Sequence, residues 1–192
     1  MNRGEIASAV RAYLERANLA STDVGYFISV TEGILNRELA EHPRSHTRLD
    51  YTVLDDTGLI PVPDDMASLK RVVNAEGDIL EQYPLDAPPD ATDGLGYVSR
   101  GTYLEIFPTP AVDDVISLDY VAYLEPLVDD ADTNWVSTYH PDVYLYGCLA
   151  EAAVFYREDE RLAQWRQDFY AKLQSLKDQG WNQNVAQGVR SR

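Results

Sequence analysis

Residues 135–170 read WVSTYHPDVYLYGCLAEAAVFYREDERLAQWRQDFY, and they carry nine aromatic rings. A helix covering one side of a small core needs a single apolar stripe, not rings on several faces. Either this stretch is buried all round, or it shows part of its apolar surface to another chain. Pro141 suits the first turn of a helix, where its missing N–H costs nothing. Beyond it, Leu145, Leu149, Ala152 and Tyr156 form one stripe, and Gly147, Ala150 and Ala153 form a second stripe of small residues that would let another helix come close. A break near Glu158 and Asp159 leads into a further helical pattern, with Leu162, Trp165, Phe169, Leu173 and Leu176 recurring at three or four.

Working outward, residues 3–18 place Ile6, Val10, Tyr13, Leu14 and Ala17 on one helical face. The stretch STD at 21–23 offers an N-cap for a second helix over 22–41, with Phe27, Ile28, Ile34, Leu35 and Leu39 inward and His42-Pro43 ending it. From about residue 46 the period changes. TRLDYTVL, LKRVVNA, DILEQY, GYVSRGTYLEIFP and DVISLDYVAYL are short β-branched or aromatic runs separated by turn compositions such as PVPDD, AEGD and PLDAPPDATDG. The pairs 70–75 with 78–83 and 97–99 with 102–107 read as antiparallel hairpins. The polar, glycine-containing stretch 179–192 reads as a tail. The expected fold is α+β: an antiparallel helical bundle, made of two N-terminal helices and one or two long C-terminal helices, with a central antiparallel β region and a flexible C-terminal tail. The chain is expected to be a single domain over 1–192, divided into 1–41, 46–126, 139–178 and 179–192.

Charge restricts the partners. Sixteen basic against thirty-two acidic residues give a formal net charge of −16. Such a surface repels phosphate backbones and anionic lipid, which argues against tight nucleic-acid binding. The local positive excess is Arg190 and Arg192 at the C-terminus. The lone Cys148 excludes an intrachain disulfide and fits a reducing compartment, with a small buried role in the aromatic helix. The opening residues lack a signal-peptide pattern, and no stretch approaches the roughly 20 apolar residues of a membrane span. A soluble protein made in the cytoplasm, away from membranes, is expected.

Residues for catalysis or metal binding do not gather in the sequence. His42 and His46 are four apart, but Pro43 prevents the helix that would align them, and His140 belongs to a turn. Aspartate pairs recur at 55–56, 64–65, 113–114 and 129–130 and read as solvated turns. DADTN at 130–134 imitates the start of a calcium loop, yet Trp135 stands where glycine is needed and Pro141 where a bidentate glutamate is needed. No G-x-S-x-G, P-loop, H-E-x-x-H or C-x-x-C occurs. The expectation is no enzyme, no catalytic or metal-ligating residue and no cofactor.

The order of features carries more. FISVTEGILNREL (27–39) is followed by LEIFPTPAVDDVISLDYVAYLEPL (104–127) and then by TNWVSTYHPDVYLYGCLAEAAVFYREDERLAQWRQDFYAKLQSL (133–176). This resembles the head–tail adaptor (connector) proteins of tailed bacteriophages, with their "I…E..LNR.L" helix, "L.I.P.P" strand and "YPD.YLYG.L.EA..F..D.R...W...F" helical block. Here Tyr139-His140-Pro141-Asp142 departs from Tyr-Pro-Asp by an inserted histidine. The resemblance spans most of 24–178 and implies a virion protein at the head–tail junction. It implies a homo-oligomeric ring, usually of about twelve copies, docked beneath the portal, extending the DNA channel without specific DNA binding, and offering a platform to the downstream tail or tail-terminator protein. In that setting the aromatic helix gains a second apolar face toward a neighbour, for which Tyr144, Tyr146 and Phe155 are the candidate subunit-interface residues. Terminal arms of the family reach toward the portal, and Trp181, Val185, Val189, Arg190 and Arg192 are the candidate portal-binding residues. Three alternatives stay open: another joint of the virion such as a tail terminator or tail-completion protein, a monomeric α+β domain whose aromatics are simply core, and a small acidic enzyme using its aspartate pairs.

Overall fold

A computed structural model of the chain describes residues 1–89, 94–157 and 159–190. Among them are five α-helices and seven strands: α1 (Arg3–Tyr13), α2 (Ser21–Glu38), β1 (His46–Thr52), β2 (Leu59–Pro61), β3 (Met66–Val73), β4 (Ile79–Tyr83), β5 (Gly96–Ser99), β6 (Tyr103–Phe107), β7 (Val115–Ala122), α3 (Trp135–Tyr139), α4 (Pro141–Tyr156) and α5 (Asp159–Arg190). The chain divides into two compact units, a helical one from residues 1–44 and 124–192 and a β unit from 45–123.

In the helical unit the N-terminus is set by a capping box: Asn2 accepts from the Glu5 N–H at 2.8 Å and Glu5 accepts from the Asn2 N–H at 3.0 Å. α1 stops at Tyr13, earlier than the expected residue 18, because Glu15 takes a left-handed φ of 56° and turns the chain. Tyr13 and Ala17 are exposed as a result, while Ile6, Val10 and Leu14 are buried. Ser21 is not the cap of α2 but its first residue; Ala20 holds the cap position, and the Ser21 hydroxyl accepts from Arg11 at 3.2 Å. The core gathers Val10, Phe27, Ile28, Leu35, Val143, Tyr144, Leu149, Trp165, Phe169, Leu173 and their neighbours. α4 lies at its centre and packs against α1, α2, α3 and α5.

The β unit overturns the expected fold. Its strands form one seven-stranded sheet in the order β1-β7-β3-β4-β5-β6-β2, and β4 and β5 run parallel, so the region is mixed and not purely antiparallel. Val53, just past β1, and residues from every strand from β2 to β7 converge in one cluster, including Ile60, Val72, Leu80, Tyr97, Leu104 and Leu118. The sheet therefore curls into a nearly closed barrel with its own core, and the chain is β-rich instead of a helical bundle with a β region to one side. The two hairpins form as expected, around Gly77 (φ 91°) and Gly101 (φ 81°). The parallel pair arises because the connection 84–95 is long enough to bring the chain back to the end where β4 began. Gly96 permits it: a Cβ there would run into the Tyr83 ring and the Glu81 carbonyl on β4. The expected flexible tail is also corrected, since α5 continues through it to Arg190. Trp181, Val185 and Val189, four residues apart, have a helical spacing of their own that the glycines at 180 and 188 masked.

Candidate assembly surface

The middle of the aromatic stretch is occupied within its own chain. Tyr144 is fully buried, its hydroxyl donating to Glu32 Oε1 at 3.3 Å and accepting from Asn134 Nδ2 at 2.7 Å. Asn134 caps α3 in a reciprocal box with Ser137 and also donates to the Glu125 carbonyl, while Glu32 accepts from the Leu127 N–H at 2.9 Å. These bonds tie the segment 124–134 to α2 and α4. Burial pushes the Glu32 carboxyl up and the Tyr144 hydroxyl well above its usual range. Cys148 is wholly buried, its thiol pushed up to about 12 by desolvation, and its sulfur lies 3.7 Å from the Thr31 hydroxyl oxygen. A thiol so protonated and enclosed is no nucleophile at neutral pH. Gly147 lets α2 approach α4: a Cβ there would stand 2.5 Å from Thr31 Cγ2 and 3.1 Å from Phe169 Cε2. The stripe of small residues thus receives a helix of the same chain.

An exposed aromatic face lies at the C-terminal end of α4. Phe155 is 52% exposed, Val154 44%, and Tyr26 of α2, 56% exposed, has its ring centroid 6.3 Å from that of Phe155. Beneath them Phe27 is fully buried and meets the Phe155 ring edge-on at 5.5 Å. Tyr156 is fixed alongside by a hydroxyl bond to Asp23 at 3.2 Å and by the Arg16 guanidinium 4.1 Å above its ring. Rings held by a rigid seat yet left in water suit an interface, where they bury large area at small entropic cost.

The expected interface residues are therefore separated. Tyr144 is core, Tyr146 is half-buried with the Lys172 ammonium 5.8 Å from its ring centre, and Phe155 sits on the exposed face. Tyr26 was not singled out from the sequence, although it stands one position outside the buried stripe begun by Phe27. Of the expected portal-binding residues, Trp181, Val185, Val189 and Arg190 lie on α5, and Arg192 falls outside the described residues. Their helix is anchored where Gly180 packs on His42, since a Cβ at 180 would collide with that imidazole. His42 in turn stacks on Trp135 at 4.8 Å, and Arg44 covers Tyr139 at 4.4 Å. His140 joins α3 to α4 in a turn, and burial lowers its pKa.

The acidic stretch 130–134 has a structural role. Asp130 pairs with Arg3 at 2.5 Å, and Asp132 accepts from the Val128 and Asp129 N–H groups at 2.9 and 2.6 Å. Among the described residues no helix is long and apolar enough to cross a membrane. The family model for the SU10 adaptor protein matches residues 1–192, the whole chain. No curated protein matches the chain.

Proposed function

The chain belongs to the SU10 adaptor protein family, phage adaptor proteins with a structural role in the virion, and from that premise we propose that it joins the phage head to the tail as a ring beneath the portal. The ring, of about twelve copies as the family resemblance implies, extends the channel through which DNA leaves and presents its far side to the next tail component. The observation that carries this reading is the seated, solvent-exposed face of Tyr26, Val154 and Phe155 on the helical unit. A ring needs a head-to-tail contact, in which this face meets a different surface of the neighbour. Tyr146 stands on the opposite side of the same helix, beside Lys172 of α5, and is assigned to a separate contact with a neighbour. At −16 per copy the assembled ring is strongly negative, which keeps passing DNA from adhering. The C-terminal part of α5, with Trp181, Val185, Val189 and Arg190 at helical spacing and Arg192 beyond, is the segment we assign to the portal. Apolar anchors on a locally basic helix suit a groove on a partner.

Purified portal particles test both assignments. Phe155→Glu, and the double variant with Tyr26→Glu, should keep native circular dichroism, because about half of each side chain already lies in water, yet fail to build a ring on the portal. A chain ending at Gly180 keeps the packing on His42 and should bind the portal weakly. Full ring formation by the Phe155→Glu variants would refute the aromatic interface, and undiminished portal binding by the shortened chain would refute the role of α5.

A further inference from the structure

The sheet has two outer strands, β1 and β2, and only one of them carries a proline. β2 has three residues and carries Pro61, which offers no N–H to a newcomer. β1 has seven residues, no proline and no bulge, and pairs with β7 along its whole length. Six of its residues are exposed and Tyr51 is half-buried. Its hydrogen-bond phase is fixed by Val53, whose N–H donates to the Asp114 carbonyl at 2.9 Å. Counting back by twos, Tyr51, Leu49 and Thr47 face β7, so His46, Arg48, Asp50 and Thr52 turn their N–H and C=O groups to the open edge.

We propose that this edge pairs, antiparallel and about a twofold axis at Leu49, with the β1 edge of a second copy. The strand HTRLDYT is complementary to itself in that register. His46 meets Thr52, Thr47 meets Tyr51, and Arg48 meets Asp50 twice. Edge-facing residues oppose edge-facing residues, so the backbone bonds close. A shift of two residues in either direction keeps the backbone phase but sets Arg48 against Arg48 or Asp50 against Asp50, and a shift of one loses the phase. Charge and hydrogen bonding therefore select one register. The sheet's own charges point the same way. Arg71 binds Asp119 at 2.7 Å, and Asp119 lies opposite Arg48 in the β1–β7 register. The row Arg71–Asp119–Arg48 alternates in sign and ends at the open edge, where Arg48 donates to its own Asp50 at 3.0 Å and to Ser117 at 2.7 Å; in the pair each also meets its opposite charge on the second copy.

This contact goes beyond the ring reading and does not depend on it. A twofold contact uses the same patch on both copies, whereas a ring of one sense uses two different patches. The pairing describes the protein away from the portal, and its test uses no portal.

Cross-linking and sedimentation of the purified full chain decide it. At the axis the two Leu49 residues form a non-hydrogen-bonded pair, with Cα atoms about 4.5 Å apart, within the span of a disulfide. The native Cys148 is buried. Leu49→Cys should form a covalent dimer under mild oxidant at least about tenfold faster than Thr52→Cys, which faces His46 of the second copy across the edge. In sedimentation at tens of micromolar the native chain should run as a dimer. Arg48→Asp and Asp50→Arg, each checked for native circular dichroism, should weaken the dimer by about tenfold or more, and the swapped double variant should restore it. Equal cross-linking at 49 and 52, or a native chain that runs as a monomer or as a ring without cross-linking at 49, overturns the pairing. So does a folded swapped variant that stays monomeric.

Discussion

Gly147→Ala tests whether α4 is enclosed by its own chain as closely as the structure shows. The added methyl carbon would stand 2.5 Å from Thr31 Cγ2 and 3.1 Å from both Thr31 Oγ1 and Phe169 Cε2. Ordinary carbon contacts lie near 3.5–4.0 Å, so α2 and α4 must separate locally by roughly 1 Å. Thr31 cannot rotate away freely, because it is fully buried and its hydroxyl donates to the Phe27 carbonyl at 2.8 Å. Overpacking of this kind costs about 1–3 kcal/mol, and the better helix propensity of alanine returns about 1 kcal/mol. The net expectation is a loss of about 0–2 kcal/mol. A second substitution sharpens this. Thr31→Ser removes the clashing methyl and keeps the hydroxyl, so alone it costs about 1 kcal/mol, while combined with Gly147→Ala it makes room for the new methyl. The double variant should then be more stable than the sum of the single effects by about 1 kcal/mol or more. Urea unfolding followed by tryptophan fluorescence suits the measurement, since Trp135, Trp165 and Trp181 all belong to the helical unit and none to the β unit. A Gly147→Ala midpoint at or above the native one, with no coupling to Thr31→Ser, would refute the close approach.

Two further measurements follow from the same core. Burial holds the Glu32 carboxyl above its usual range, against the lowering effect of the bonds from the Leu127 N–H and the Tyr144 hydroxyl. With the folded pKa raised above the unfolded one, its stabilising contribution is complete below the unfolded carboxylate pKa of about 4.3 and is lost as pH rises through the folded value. Glu32→Gln keeps an acceptor oxygen for both bonds and does not ionise, so the variant should match the native chain near pH 4 and exceed it near pH 8; a native chain that is the more stable at pH 8 contradicts this. Trp165 is buried on α5 in the helical core, and Trp165→Ala should cost about 3–5 kcal/mol; an unchanged unfolding midpoint would place the ring outside the core.

The legible parts of the fold were those written in local spacing. Stripes at three and four gave the bodies of α1, α2, α4 and α5, and Glu76-Gly77 and Arg100-Gly101 gave two hairpins. Local signals name only neighbours in sequence, so they could not reveal that β7 sits between β1 and β3, or that β4 and β5 run parallel. Gly96 carried a trace of that parallel pair, but its reason appears only once Tyr83 lies beside it. The helix over 181–190 was legible in principle. Trp181, Val185 and Val189 recur at four, a helical spacing of their own that is out of phase with the stripe of Leu173 and Leu176, and polar composition outweighed it. The short α3 had a signal too, the pairing of Asn134 with Ser137 three residues on, hidden by its likeness to a calcium loop.

The aromatic stretch at 135–170 had two possible explanations, and the structure divides it between them. Along most of α4 the apolar surface is taken up inside the chain: Tyr144 by Glu32 and Asn134, Gly147 by Thr31 and Phe169, and Cys148 by Thr31. Apolar residues on every side of this helix therefore do not by themselves require a second chain. Only at its C-terminal end, where Val154 and Phe155 emerge beside Tyr26, does the surface go beyond what the helical core uses. Burying those side chains in a monomer would need another element over them. A partner that covers them gains apolar burial, since each ring buries on the order of 150 Å² or more in a good interface. Assembly thus falls to two residues at the end of α4 and one of α2, and substituting them should leave the rest of the stretch, and the fold it organises, intact.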